Sequence, residues 1–142
     1  MQAINVPVDE FITPDPVTAS EDMDTDELRE LMQRHDIRHL PVMRGDAVVG
    51  LISDRDVRLV SGLTVAEKLQ VRAGDIMRTE PLSVPATTPL AEVAEIMARQ
   101  KIGSVIVTGA EGRLAGIFTA TDALNALVEI ARGSGTRWTH AG

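Results

Sequence analysis

Apolar residues recur at helical spacing in two stretches of the chain and bunch into short runs in several others. From Asp24 onward, Leu28, Leu31, Met32 and His35 share one face, and Asp24 with Glu27 three positions on has the form of a capping box, so a helix starts there. The runs 37–43 and 47–52, parted by Arg44-Gly45-Asp46, predict a strand hairpin, and residues 54–60 a closing helix. Further on, Thr88 and Pro89 are placed as N-cap and first residue of a second long helix with the stripe Leu90, Val93, Ile96 and Met97. A second hairpin, 104–108 with 114–118, turns through 110–113. A last helix spans 120–132 and stops at Gly133-Ser134-Gly135.

Shorter pieces fill the gaps. Residues 6–12 predict a lead-in helix ended by Pro14 and Pro16, Val17-Thr18 a brief extended segment, and 65–69 a helical turn or two. Ile76-Met77 and Pro81-Leu82-Ser83 are the matching lead-in turn and extended segment later in the chain.

These elements form a repeat. A displacement of 65 positions lays Pro16 on Pro81, Glu27 on Glu92, Met32 on Met97, Ile37 on Ile102 and Val42 on Val107. With one residue inserted near Gly112, Gly50 falls on Gly116 and Asp56 on Asp122. The chain is thus expected to hold two β-α-β-β-α units, at 6–60 and 74–132, with a linker at 61–73. A C-terminal tail at 133–142, with Trp138 and His140, is expected to be flexible or to pack on a partner.

The repeat carries one chemical motif twice: Gly50-Leu51-Ile52-Ser53-Asp54-Arg55-Asp56 and Gly116-Ile117-Phe118-Thr119-Ala120-Thr121-Asp122. Each reads as a strand ending at a helix N-terminus, where free amides and the positive helix end beside a hydroxyl suit a phosphate. An acid one turn in is placed to accept hydrogen bonds from a ribose diol. The plainer reading makes Ser53 and Thr119 N-caps and the aspartates dipole-friendly first-turn acids.

Composition narrows the partners. The net charge of −7 argues against a duplex-binding surface, and 2% aromatic content against base-stacking platforms, so no nucleic-acid role is expected. With no cysteine there is no disulfide, thiolate metal site or thiol nucleophile. No apolar run approaches a membrane span and the N-terminus has no signal-like pattern, so the expectation is a cytoplasmic chain without a membrane role. Asp22, Asp24 and Asp26 lack the glycine and terminal glutamate of a calcium loop. His35 and His39 fall on different elements, so no metal site is assigned.

On Pro16-Val17-Thr18, the helix from Asp24, Ile37-Arg38-His39-Leu40-Pro41-Val42 and the run Gly50 to Asp56, the chain resembles the CBS domain, named after cystathionine β-synthase, and the pair resembles a Bateman module. The resemblance implies an α/β, sandwich-like fold: two tandem units packed sheet to sheet about a pseudo-two-fold axis. It implies clefts between them for AMP, ADP, ATP, NAD or S-adenosylmethionine. It makes Asp56 and Asp122 ribose-binding acids, Ser53 and Thr119 phosphate-side hydroxyls, and Thr18 and Ser83 positions whose backbone meets adenine. Arg38 and His39 match a pair that reaches phosphates in some relatives. Around the first motif Arg38, His39, Arg55 and Arg58 supply cationic donors, whereas Gly103, Ser104, Ala120 and Thr121 bring no charge to the second. Ile106 also departs from the family's proline at the place of Pro41. The first site is therefore expected to prefer phosphorylated adenosine, and the second to bind weakly, take a less charged ligand or stay empty.

The function so implied is a stand-alone regulatory module with no catalytic residues and no required cofactor. It would signal through an effector protein or its own homodimer, four units in a disc. The alternative is a structural or dimerisation module without a small-molecule ligand. An enzyme is not expected, since no nucleophile–base pair, metal constellation or Walker loop has the required spacing.

Overall fold

The computed structural model describes residues 6–133, so the expected tail from Ser134, with Trp138 and His140, lies outside the described residues. The fold is mixed α/β with two four-stranded sheets, each belonging to its own compact unit.

One unit spans Asp15–Leu82. It runs β2 (Ala19–Ser20), α1 (Thr25–His35), β3 (His39–Arg44), β4 (Ala47–Ser53), α2 (Asp54–Leu59), α3 (Val65–Lys68), α4 (Ala73–Ile76) and β5 (Arg78–Thr79). The capping box at Asp24 forms as expected: its carboxylate accepts the Glu27 N–H at 2.8 Å and Glu27 accepts the Asp24 N–H at 3.1 Å. α1 ends where Asp36 turns left-handed at φ 51°. This leaves His35 exposed rather than on the buried stripe, which is carried by Leu28 and Met32 with Leu31 half-buried. These pack with Ala19, Leu40, Val42, Ile52, Val57 and Ala73 into one apolar core. In the sheet β2 runs parallel to β3, and β3–β4 and β4–β5 are antiparallel. A parallel pair needs a crossover, and α1 supplies it.

The other unit joins residues 6–14 to residues 83–133. It holds β1 (Thr13–Pro14), β6 (Ser83–Pro85), α5 (Leu90–Gln100), β7 (Ser104–Thr108), β8 (Leu114–Thr119) and α6 (Ala120–Ala131). Its sheet order, β6-β7-β8-β1, repeats the first: β6 parallel to β7, then two antiparallel pairs. Even the bulge recurs, between Val42 and Met43 in one sheet and Val107 and Thr108 in the other.

Several local expectations shift. The lead-in helix at 6–12 is a single 3-10 turn at Val8–Glu10, because the Val8 and Asp9 N–H groups donate outward to the carbonyls of Thr88 and Ala86 at 2.8 and 3.2 Å. The extended pieces lie two residues later than expected, at Ala19–Ser20 and Ser83–Pro85. Pro89, not Thr88, occupies the N-cap of α5: the Leu90 N–H donates to the Val6 carbonyl at 2.7 Å, so a backbone oxygen takes the place of a capping side chain.

The compact units group the chain differently from the two sequence repeats. Each repeat's lead-in strand completes the other repeat's sheet: β1 pairs with β8, and β5 with β4. The strand it joins must yield space. A Cβ built on Gly116 would lie 2.5 Å from the Thr13 carbonyl oxygen, and one on Gly50 would lie 2.3 Å from Met77 Sδ. Backbone cannot swing aside, whereas a methionine side chain re-orients. Gly116→Ala is therefore expected to cost about 1–3 kcal/mol and Gly50→Ala distinctly less, read from urea midpoints of the two variants.

Candidate functional site

Each motif folds into a strand–helix corner. β4 delivers Ser53 to the N-cap of α2, where its Oγ accepts the Asp56 N–H at 3.2 Å and Asp56 Oδ2 accepts the Ser53 N–H at 2.9 Å. β8 delivers Thr119 to the N-cap of α6 with the same reciprocal bonds to Asp122, again 3.2 and 2.9 Å. The Thr119 hydroxyl also donates to Asp122 Oδ2 at 3.0 Å. Both acids and both hydroxyls are half-buried, each acid keeping acceptor capacity beyond the cap.

The amides are less available than the sequence suggests. The Asp54 N–H donates to the Arg38 carbonyl at 2.7 Å and the Ala120 N–H to the Gly103 carbonyl at 3.0 Å. With the caps counted, three of the four amides from cap to third residue are bonded at each corner. Only the Arg55 and Thr121 N–H groups are left without a partner among the described residues. An anion at either corner must be held mostly by side chains.

His39 opens β3 directly opposite Ser53, and Ser104 opens β7 directly opposite Thr119. Ser104 is buried and His39 half-buried, so the corners differ at this point by an imidazole against a hydroxyl. Arg55 and Thr121 stand exposed in the first helical turns. Thr18 is half-buried just before β2, and Ser83 is exposed at the start of β6, level with Ile106.

Arg38 and Arg58 also border a separate groove. With Arg29, Gln33, Asp36 and Asp54 they help line an open groove of about 460 Å³ whose walls do not include Ser53 or Asp56. Arg58 pairs with Asp54 at 2.5 Å, one turn apart on α2, which commits it to its own helix. The sequence also missed Thr13, whose hydroxyl lies 3.4 Å from each oxygen of Asp122. Its signal was displacement by 65 positions, which lays Thr13-Pro14 on Arg78-Thr79.

The CBS-domain family model matches residues 8–61 and again 73–129. The chain is a CBS-domain protein. Its two repeats make it a tandem pair, a Bateman module. It is 39% identical over 113 residues to an inosine-5'-monophosphate dehydrogenase of Korarchaeum cryptofilum, spanning 79% of this chain but only 22% of that enzyme. It is 27% identical over 137 residues to a CBS domain-containing protein of Dictyostelium discoideum, covering 89% of this chain and 94% of the relative. Among solved structures it is similar to CBSX2 in complex with AMP, at 27% identity and a TM-score of 0.78, covering 89% of this chain and 99% of that one. CBSX2 is a CBS-pair protein of Arabidopsis thaliana. It is also similar to the CBS domain of a bacterial CNNM/CorC Mg2+ transporter in complex with ATP, at 25% identity and a TM-score of 0.77, covering 88% and 89%. Among the described residues no helix is long and apolar enough to cross a membrane, and no cluster of three or more His, Asp or Glu is arranged to hold a metal.

Among the described residues, His39 at the Ser53 corner is the histidine whose surroundings move its ionisation. Burial pushes His39 below its ordinary 6.5; the Asp56 carboxylate pulls it back up, Arg38 lowers it again and Asp54 raises it. A depressed value in the fold means the neutral imidazole is favoured, so the stability it adds is present above about pH 6.5 and is lost as pH falls through the lowered value. An NMR titration is expected to place His39 below 6.5, and Asp56→Asn to move it lower still by removing the strongest opposing charge.

Proposed function

We propose that this tandem CBS chain is a regulatory module that binds a phosphorylated adenosine, AMP first and then ADP or ATP, at the Ser53–Asp56 corner. The Thr119–Asp122 corner is the weaker or less charge-selective site. The observation that carries this reading is the doubled corner itself: an acid fixed by its own cap, with acceptor capacity to spare, beside a hydroxyl and an exposed first-turn side chain. Support comes from CBSX2 in complex with AMP and the CorC CBS domain in complex with ATP, both of which span most of this chain. The roles of Thr18, Arg38, His39, Ser83 and Ser104 in that site are part of the same proposal.

Asp56 takes the ribose, Ser53 the phosphate side, Arg55 supplies charge that the spent amides cannot, and His39, its neutral imidazole favoured, offers a hydrogen bond on the same side. Regulation follows if the nucleotide prefers one arrangement of the module over another, because differential affinity shifts populations. A second copy of the chain or an effector would read that shift. Leu59, Leu124 and Leu127 stand 75%, 63% and 60% exposed on α2 and α6 and offer apolar surface for such a contact. The dehydrogenases share only this region and lend no activity to it.

One observation favours a structural module with no ligand: at both corners the capping box alone accounts for a hydroxyl and an acid at that spacing. Melting curves separate the two. A nucleotide at 100 times its dissociation constant adds about 2.7 kcal/mol, and no shift with AMP, ATP, NAD or S-adenosylmethionine would favour the structural module. By calorimetry with AMP, Asp56→Ala is expected to abolish the tighter binding event and Asp122→Ala to spare it; equal losses would contradict the ranking of the corners.

A further inference from the structure

We propose that Arg78 is the specificity-determining residue that selects a phosphorylated ligand at the Ser53–Asp56 corner. The inference rests on the nucleotide reading above and goes beyond it by naming the side chain that reads charge.

The two sheets supply the argument. β1 lies on β8 with Thr13 opposite Ile117 and Pro14 opposite Gly116; β5 lies on β4 with Arg78 opposite Leu51 and Thr79 opposite Gly50. Thr13 and Arg78 therefore hold the same register, each on the strand beside a motif glycine. Directly paired residues share a sheet face, and residues two apart on a strand share it too. Arg78 thus stands on the face of Leu51 and Ser53, as Thr13 stands on the face of Ile117 and Thr119.

Where that position is Thr13, its hydroxyl reaches the acid of the corner, 3.4 Å from both Asp122 oxygens. The register puts Arg78 at the equivalent position on the strand next to the Asp56 corner, with a longer side chain and a permanent charge. Arg78 is exposed, and among the described residues its guanidinium has no carboxylate partner, in contrast to Arg58 on Asp54 or Arg44 on Glu21. An exposed cation on that strand, at a corner whose amides are nearly all bonded and whose acid is proposed above to take the ribose, is suited to the phosphoryl group of the same ligand. Its planar fork takes two phosphate oxygens at once. Thr13 offers the other corner only a neutral hydroxyl.

The test is calorimetry on the full chain with adenosine, AMP and ATP. Arg78→Thr, which copies the other corner, and Arg78→Gln, a second uncharged variant, are expected to weaken AMP and ATP about tenfold while leaving adenosine unchanged. Arg78→Lys recovers part of the loss, and Thr13→Arg tightens AMP at the Asp122 corner. Unchanged AMP binding in both uncharged variants would overturn the assignment, as would an equal loss of AMP and adenosine, which is what a merely structural residue gives. If the unaltered chain binds neither adenosine nor AMP, the nucleotide reading fails and this assignment with it. That outcome is distinguished by the unaltered chain alone.

Discussion

The corners depend on two strands that give up a side chain where another strand crosses close above them. At Gly116 the approaching atom is a backbone carbonyl, at Gly50 the side chain of Met77, and in neither place is there room for a Cβ. That absence lets a two-residue strand from the opposite repeat dock as the fourth strand of each sheet. Such strands have almost no pairing strength of their own. They are held because Val8 is buried and hydrogen-bonded to the turn before α5, and because Ala73 and Gly74 donate to Met23 and Glu21 before β5. The exchange makes the repeats interdependent: removing residues 6–14 strips a strand from the sheet of residues 83–133, not from the repeat that follows it in sequence.

Hydrogen bonding at the helix starts limits what each corner can do. Helix starts attract anions because their amides lack partners. Here the reciprocal caps and the carbonyls of Arg38 and Gly103 consume three of four, and they do so identically in both repeats. Backbone geometry is therefore the same at both corners, and what differs between them is the side chains. His39 against Ser104, Arg55 against Thr121 and Arg78 against Thr13 all differ in one direction.

Much of this was legible in the sequence because it rests on local chemistry. The Asp24 box, both hairpins and both corners are set by residues three to seven positions apart, and the repeat made each inference twice. What was hidden rests on distant backbone. The α5 cap is the Val6 carbonyl, far away in sequence, so Thr88 was the only visible choice. β1 and β5 are too short for any periodicity, and nothing in Gly50 or Gly116 says that a strand lies on it. The pairing of Arg58 with Asp54, one turn back on its own helix, was by contrast readable from their spacing.

The contrast between the repeats separates what folding requires from what it does not. Glycine, hydroxyl and acid occur at both corners, and each has a structural duty there: space for a strand, a cap, and a return bond to that cap. The cations have no such duty. Arg55 and Arg78 are exposed, and the second repeat folds the same corner with Thr121 and Thr13 instead. Exposed arginines of this kind add little to stability. Under the proposed function an anion at the first corner would give those side chains a partner, whereas Thr121 and Thr13 at the second bring no charge for it to meet.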